Sequence, residues 1–129
     1  MDASVLCAFF LSEKGSEDIE TVLKTVPKIH APLFWKFEAA NAIWRRRDIP
    51  DKIGEGLIER IWKLKIMDGG DFKKEARDAF ILSRKYGITF YDSSYIAQAK
   101  NLNLSLWTLD KVQAKAALDS GVMLFKPEE

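Results

Sequence analysis

The sequence is poor in cysteine and histidine, with one residue of each among 129. Cys7 lies inside an apolar run, so a single chain can build neither a disulfide framework nor a cysteine-based zinc site. A Ser-His-Asp or Cys-His catalytic arrangement would need His30 to meet a nucleophile, and no motif supplies one. These absences exclude the commonest thiol and imidazole chemistries.

Long apolar runs are also absent. The longest, from Val5 to Leu11, has seven residues, whereas about 20 are needed to span a bilayer. The start Met1-Asp2 lacks the basic flank of a signal peptide. We therefore expect a cytoplasmic protein without a membrane segment.

The sequence also lacks an excess of charge of one sign, because 20 Lys and Arg stand against 19 Asp and Glu. A hydrophobic fraction of 47% and a charged fraction of 30% are typical of a soluble globular protein. The length suits one domain over residues 1–129. If four acids shared one pocket, 20 positive charges would face 15 negative ones elsewhere, leaving a surface that attracts phosphates.

Apolar periodicity predicts helices that alternate with short strands, which indicates an α/β fold with a parallel sheet covered on both faces. The predicted helices cover 4–11, 16–26, 33–47, 51–65, 71–86, 92–101 and 110–120. The predicted strands cover 1–3, 28–31, 104–108 and 122–125, and 67–70 is predicted as a turn. Ligands of such sheets bind beyond the carboxyl ends of the strands, which is where Asp2 and Asp110 lie.

Two predicted helices carry apolar stripes that we expect to face the core. In helix 33–47 the stripe consists of Leu33, Phe37, Ala40 and Trp44, and in helix 71–86 of Phe72, Ala76, Ala79, Phe80 and Leu82. Trp35 lies off the first stripe, so we expect it in an exposed patch. Such a patch could bind a partner's amphipathic segment or stack on a base.

Four acids have ordinary explanations when each is taken alone. Asp92 follows the β-branched and aromatic run 88–91 and is predicted to begin and cap a helix. Asp110-Lys111-Val112-Gln113 matches a capping box. Glu38 could be a solvated helical acid, and Asp2 could belong to a frayed terminus.

Taken together, the four acids suggest a shared pocket, because they follow strands or border an apolar helix face. Crowded carboxylates repel and raise each other's pKa unless a cation joins them. Mg²⁺ or Mn²⁺ suits such a set of oxygen ligands. The chemistry performed by such sites is phosphodiester hydrolysis with a metal-activated water.

Four segments of the sequence, in order, resemble the signature segments of the PIN domain family, and in particular of VapC-type toxin ribonucleases. The segments are 1–6, 37–43, 91–99 and 106–110. The resemblance implies a three-layer α/β/α sandwich on a short parallel sheet of four to five strands. It also implies a Mg²⁺-dependent endoribonuclease site, frequent homodimers and a cognate VapB-type antitoxin.

The resemblance assigns roles to matching residues. It makes Asp2 and Asp92 the main metal ligands, with Glu38 and Asp110 completing the acidic site. The supporting residues would be Ser4 and Thr108, through their hydroxyls, and Asn41, through an amide that orients the Glu38 carboxylate. One departure is that only Met1 precedes the first Asp, where the family usually has several apolar residues of a central strand.

Cations also fall near the predicted site. Arg45-Arg46-Arg47 ends helix 33–47, where the helix dipole alone favours positive charge. One stripe of this helix, at i, i+3, i+4 and i+7, carries Glu38, Asn41, Ala42 and Arg45. Arg45 is therefore the first candidate for a substrate phosphate. Lys111 and Lys115 are further candidates.

The sequence therefore predicts a Mg²⁺-dependent endoribonuclease, the toxin of a toxin-antitoxin pair. The alternative is a PIN-fold interaction module that is non-catalytic or binds metal weakly because of its short first strand. A phospho-receiver-like domain would also gather acids at strand ends, but no paired adjacent acids occur near the first strand.

Overall fold

The computed structural model describes residues 29–68 and 71–126. The described part contains five helices, which we label α1 (Trp35–Arg45), α2 (Asp51–Lys63), α3 (Phe72–Tyr86), α4 (Phe90–Asn101) and α5 (Lys111–Asp119). All five were predicted, with ends that differ by one or two residues. The helices predicted over 4–11 and 16–26 and the strand over 1–3, with Asp2 and Ser4, lie outside the described residues.

Local chemistry explains where α3 begins and ends. Asp71 precedes the helix, and its side chain accepts a hydrogen bond from the Lys74 N–H at 3.1 Å. Gly87 ends it with φ of 67°, a left-handed conformation that a residue without a Cβ adopts at little cost. Gly87 is therefore the C-cap of α3.

Parallel pairing occurs at two places in the described ranges. One bridge joins His30 to Met67 and the other joins Leu106 to Leu124. Backbone hydrogen bonds of 2.8 to 2.9 Å flank both bridges. Both bridges are parallel, but these stretches form isolated bridges rather than longer strands, so a parallel sheet of four to five strands remains a prediction.

The turn predicted over 67–70 is wrong at its first residue. The Met67 N–H donates to the Ile29 carbonyl at 2.9 Å, and the Ala31 N–H donates to the Met67 carbonyl at 2.9 Å. Ile66 packs against the core beside it. Met67 therefore continues an extended apolar segment, and the two glycines that suggested a turn come after it.

The core is built around α4, of which seven consecutive residues, Ser93 to Ala99, are buried. A helix that is buried on every side lies inside a fold rather than on its surface. Helix α3 packs along α4, α5 also contacts α4, and α1 packs on α2. The buried apolar side chains around α4 include Trp35, Ile43, Ile61, Tyr95, Leu106 and Trp107.

Helix α1 presents a different face to the core from the one predicted. Trp35, Ala39 and Ile43 are buried, whereas Phe37 is 70% and Trp44 63% exposed, and Leu33 is exposed as well. The prediction that Trp35 is exposed is wrong, because it retains only 2% of its accessible surface. The helix carries two apolar stripes, and packing selects the one that buries the large indole.

Helix α3 also departs from the predicted stripe. Phe72, Ala76 and Phe80 are exposed, and Glu75 is buried beside Ala79. Since α3 packs along a segment of α4 rich in serine and alanine, small side chains at the contact allow close approach. Ala79 fits that contact better than a phenyl ring.

Among the described helices, none combines the length and the apolar character that crossing a bilayer requires.

Candidate functional site

Helices α1 and α4 bring several predicted site residues to one groove of about 510 Å³. We call it the acidic groove, and its lining combines two acids, other polar groups and aromatic rings. The polar residues are Glu38, Asn41, Arg45, Thr89 and Asp92, and the aromatic residues are Phe34, Phe37 and Tyr91. The groove thus brings Asp92 together with three residues of α1, namely Glu38, Asn41 and Arg45. Their spacing predicted that these three share one side of the helix.

Asp92 lies in the first turn of α4, and Thr89 occupies the N-cap position. The Thr89 hydroxyl accepts the Asp92 N–H at 3.1 Å. The prediction that Asp92 begins and caps the helix is therefore wrong, because Thr89 supplies the cap and the helix begins at Phe90. The helix dipole still favours a carboxylate in this turn.

Glu38 is tied to α4 by a buried tyrosine. The Tyr95 hydroxyl donates to Glu38 Oε1 at 2.8 Å, and Tyr95 is 2% exposed. Tyr95 lies three residues after Asp92, so both side chains lie on one side of α4. Sequence reasoning missed this contact, because it joins residues 57 positions apart in the chain. The spacing of Asp92 and Tyr95 indicates only that both side chains lie on one side of α4.

Asp110 is the N-cap of α5, as predicted. Its Oδ1 accepts the N–H groups of Val112 at 2.8 Å and Gln113 at 3.1 Å. The Thr108 hydroxyl accepts the Asp110 N–H at 2.9 Å. Thr108 therefore supports Asp110 through a hydrogen bond, but Asp110 does not line the acidic groove.

The predicted capping box at Asp110 forms only in part. In a complete box the Gln113 side chain would return to the Asp110 N–H. Instead, Gln113 Nε2 donates to the Asp92 carbonyl at 3.0 Å, because Thr108 already accepts the Asp110 N–H. This bond joins the start of α5 to the first turn of α4.

Two buried polar atoms beside Asp92 have no hydrogen-bond partner within residues 29–68 and 71–126, namely Ser93 Oγ and Gln113 Oε1. Such orphaned atoms are rare in folded proteins and call for an explanation. Ser93 follows Asp92 in the chain, and Gln113 bonds to its carbonyl. Both of these polar atoms therefore belong to residues next to Asp92.

The groove offers hard oxygen ligands from Glu38, Asp92 and Asn41, which fit a divalent ion that retains several waters. Across 29–68 and 71–126, no group of three His, Cys, Asp or Glu residues could hold a metal ion. Asp2, the remaining predicted ligand of the groove, lies outside these ranges.

A perturbed acid lies away from the groove. Burial raises the pKa of Glu75 on α3 to about 7, and the negative charge of Asp68 adds to the rise. Glu75 does not line the acidic groove, so we treat its pKa as a property of the α3–α4 contact.

Comparison with known proteins gives a family and a fold. A model of the PIN domain matches residues 1–118. Ribonuclease VapC3 of Pyrobaculum aerophilum is 29% identical over 119 residues, which cover 89% of this chain and 91% of that protein. The crystal structure of PAE2754 from Pyrobaculum aerophilum matches with a TM-score of 0.68 at 23% identity, over 89% of this chain and 76% of that one. The likeness in shape confirms the predicted α/β fold class.

Proposed function

Because the chain belongs to the PIN domain family, we propose that it is a Mg²⁺-dependent endoribonuclease and the toxin of a toxin-antitoxin pair. The observation that carries the proposal is the meeting of Glu38 and Asp92 with Arg45 in one groove. The similar protein from Pyrobaculum aerophilum is named a ribonuclease, which supports RNA as the substrate.

In this proposal Asp2 and Asp92 are the main ligands of Mg²⁺ or Mn²⁺, and Glu38 and Asp110 complete the acidic site. The bound ion would supply a water of lowered pKa and neutralise charge on the phosphate. Asp2 and its supporting hydroxyl, Ser4, rest on the resemblance to the family alone.

The other residues of the site hold the acids and the substrate in place. Asn41 lies one turn after Glu38 on α1, where its amide can orient the carboxylate. Thr108 fixes the backbone of Asp110. Arg45, exposed in the same groove, would bind a substrate phosphate, and Lys111 would act similarly beside Asp110.

For the antitoxin we propose a docking surface on α1 and α2. Phe37 and Trp44 are exposed there, and the Phe37 and Trp62 rings meet edge to face with centroids 5.6 Å apart. Lys36 Nζ lies 5.4 Å from the Trp62 ring, and Arg47 lies 5.0 Å from the Trp44 ring. An apolar surface with cations suits an amphipathic helix with acidic flanks.

The homodimer would use a different apolar surface. Phe80 and Ile81 are exposed on α3, next to each other in the chain. Exposed large apolar side chains that lie close together on a surface mark contacts between proteins. A VapB-type antitoxin and a second copy of the chain would then bind without competing, in the cytoplasm.

An RNA cleavage assay with and without Mg²⁺ tests the proposed activity. Wild-type protein should cut structured RNA only with the ion, and Asp92→Asn should lower the rate by at least about 100-fold, since a charged oxygen ligand is lost. Asp71→Asn is the matched control, because it removes the same charge while asparagine still caps α3. Cleavage that survives Asp92→Asn, or that proceeds in EDTA, would refute the assignment.

The alternative remains a PIN-fold interaction module without catalysis. The observation that favours it is the lack of a three-residue metal cluster within the described residues. It predicts intact RNA at millimolar Mg²⁺ together with retained binding of a partner protein. The same cleavage assay therefore distinguishes the two functions.

A further inference from the structure

A second groove, of about 500 Å³, lies between the end of α3 and one side of α5. Three lysines line it, Lys85, Lys111 and Lys115, together with one acid, Asp119. We call it the lysine groove. With three cations against one anion, it attracts a chain of negative charges.

Helix stability does not account for all of these lysines. Lys85, in the last turn of α3, is favoured there by the helix dipole. Lys111 is the first residue of α5, where the dipole disfavours a cation, and the first turn of α5 contains no acid. A positive charge that costs the helix stability suggests a role in binding.

The start of α5 links the lysine groove to the proposed catalytic site. Lys111 directly follows Asp110, and Gln113 joins this turn to the Asp92 carbonyl at 3.0 Å. Lys115 lies one helical turn beyond Lys111, so their Cβ atoms are about 6 Å apart. Consecutive phosphates of a single strand are separated by a similar distance, so a strand leaving the acidic groove could place one phosphate at each lysine.

The lining also suits an unpaired strand. Ile88 and the exposed Val112 give the groove an apolar surface, and Tyr86 adds a ring. Aromatic and apolar surface beside a basic rim is typical of sites that bind single-stranded nucleic acid. Lysines contact phosphates as point charges without reading sequence.

We propose that the lysine groove binds the RNA backbone beyond the cleaved bond. The inference rests on the proposed ribonuclease function and adds a binding surface to it, for an unpaired stretch of RNA several nucleotides longer than the acidic groove can hold. The lysine groove lowers KM for such RNA and leaves the chemical step unchanged.

A binding experiment tests the groove without cleavage. Fluorescence anisotropy with a 12-nucleotide single-stranded RNA, in EDTA and in the Asp92→Asn background, gives the dependence of affinity on salt. Lys85→Gln/Lys111→Gln/Lys115→Gln should make the slope of log K against log salt shallower by about 2, at about 0.7 per lost phosphate contact. The control Lys52→Gln/Lys63→Gln/Lys73→Gln removes three exposed lysines outside the groove and should leave the slope nearly unchanged. Equal slopes for the two triple variants would overturn the proposal.

Kinetic measurements distinguish RNA binding by the lysine groove from the proposed cleavage of RNA. With Mg²⁺, the double variant Lys85→Gln/Lys115→Gln should raise KM for the 12-nucleotide RNA about fivefold at unchanged kcat and leave a trinucleotide unaffected. Lys111 is kept in this variant because it is proposed to bind a phosphate beside Asp110. Equal effects on both substrates, or no effect on either, would contradict the proposal. If the wild-type protein cuts neither RNA, the ribonuclease assignment fails while the salt slope still decides whether the groove binds RNA. The proposal for the lysine groove would also be overturned if an acidic peptide of equal length bound there in place of the RNA.

Discussion

At the residue scale, the hydrogen bond from Tyr95 to Glu38 joins an exposed functional helix to the buried centre of the fold. Its length of 2.8 Å is that of an ordinary O–H···O hydrogen bond, and the phenol that donates it is buried. A hydrogen bond of this kind contributes about 0.5 to 1.5 kcal/mol. Tyr95 therefore holds Glu38 where Asp92 and Asn41 line the same groove.

A double-mutant cycle tests this coupling. Tyr95→Phe and Glu38→Ala should each lower the free energy of unfolding, and the double variant should lose about 1 kcal/mol less than their sum, because both single changes remove the same bond. Urea unfolding of the metal-free protein gives the four values. Strictly additive losses would show that the bond contributes nothing.

A second residue-scale prediction concerns Glu75, whose pKa of about 7 lies above its ordinary value of 4.5. The folded protein binds this proton more tightly than the unfolded chain, so the free energy of unfolding falls as the pH rises from about 4.5 to about 7. The fall should be on the order of 2 to 3 kcal/mol.

Glu75→Gln should remove this part of the pH dependence and stabilise the protein at pH 8, because an amide stays neutral. Urea unfolding at pH 5 and pH 8 measures the difference for wild type and variant, and other titrating groups cancel in the comparison. An equal drop for both proteins would contradict the account of Glu75.

At the element scale, substitutions at the start of α5 separate the two roles of Asp110, the helix cap and the proposed metal ligand. Asparagine caps a helix about as well as aspartate, but it lacks the charge that a metal ligand supplies. Asp110→Asn should therefore keep the free energy of unfolding within about 0.5 kcal/mol of wild type and lower RNA cleavage at least tenfold. Asp110→Ala should lose both activity and about 1 kcal/mol of stability.

Thermal unfolding and cleavage rates of the two Asp110 variants decide this prediction. If Asp110→Asn cleaves RNA like wild type, Asp110 is only a cap. Such a result would leave Glu38 and Asp92 as the acids of the site within the described residues.

Helix α1 shows how far periodicity predicts an element. The pattern gave its existence and the shared stripe of Glu38, Asn41 and Arg45, and the structure brings these three to one groove. It misjudged the buried face, because Phe37 and Trp44 form one apolar stripe while Trp35 and Ile43 belong to another. Only the partner elements determine which stripe is buried.

Helix α4 shows the same limit at a functional position. Thr89 followed three residues later by Asp92 is itself a capping pattern, and it would have placed the helix start correctly. By contrast, the Tyr95–Glu38 bond joins residues 57 positions apart in the chain. Such a contact depends on how α1 and α4 pack, which no local pattern determines.

At the scale of the whole molecule, the total charge is near neutral, but acids and lysines line different grooves. Two acids lie together in the groove beside Arg45, while three lysines gather in the neighbouring groove. This arrangement is what a phosphodiester-cleaving protein needs, with negative ligands for a cation at the centre and positive charge for the RNA around it. The sequence predicted the balance of charges but not the position of the lysine groove.

The central claim is that the acidic groove binds a divalent cation, and an anomalous difference map from a crystal soaked in Mn²⁺ tests it most directly. We predict a peak in the groove with carboxylate oxygens of Asp92 and Glu38 within about 2.3 Å or one water away. The peak should disappear in Asp92→Asn crystals soaked in the same way. A peak only at other positions, or no peak at millimolar Mn²⁺, would contradict the claim.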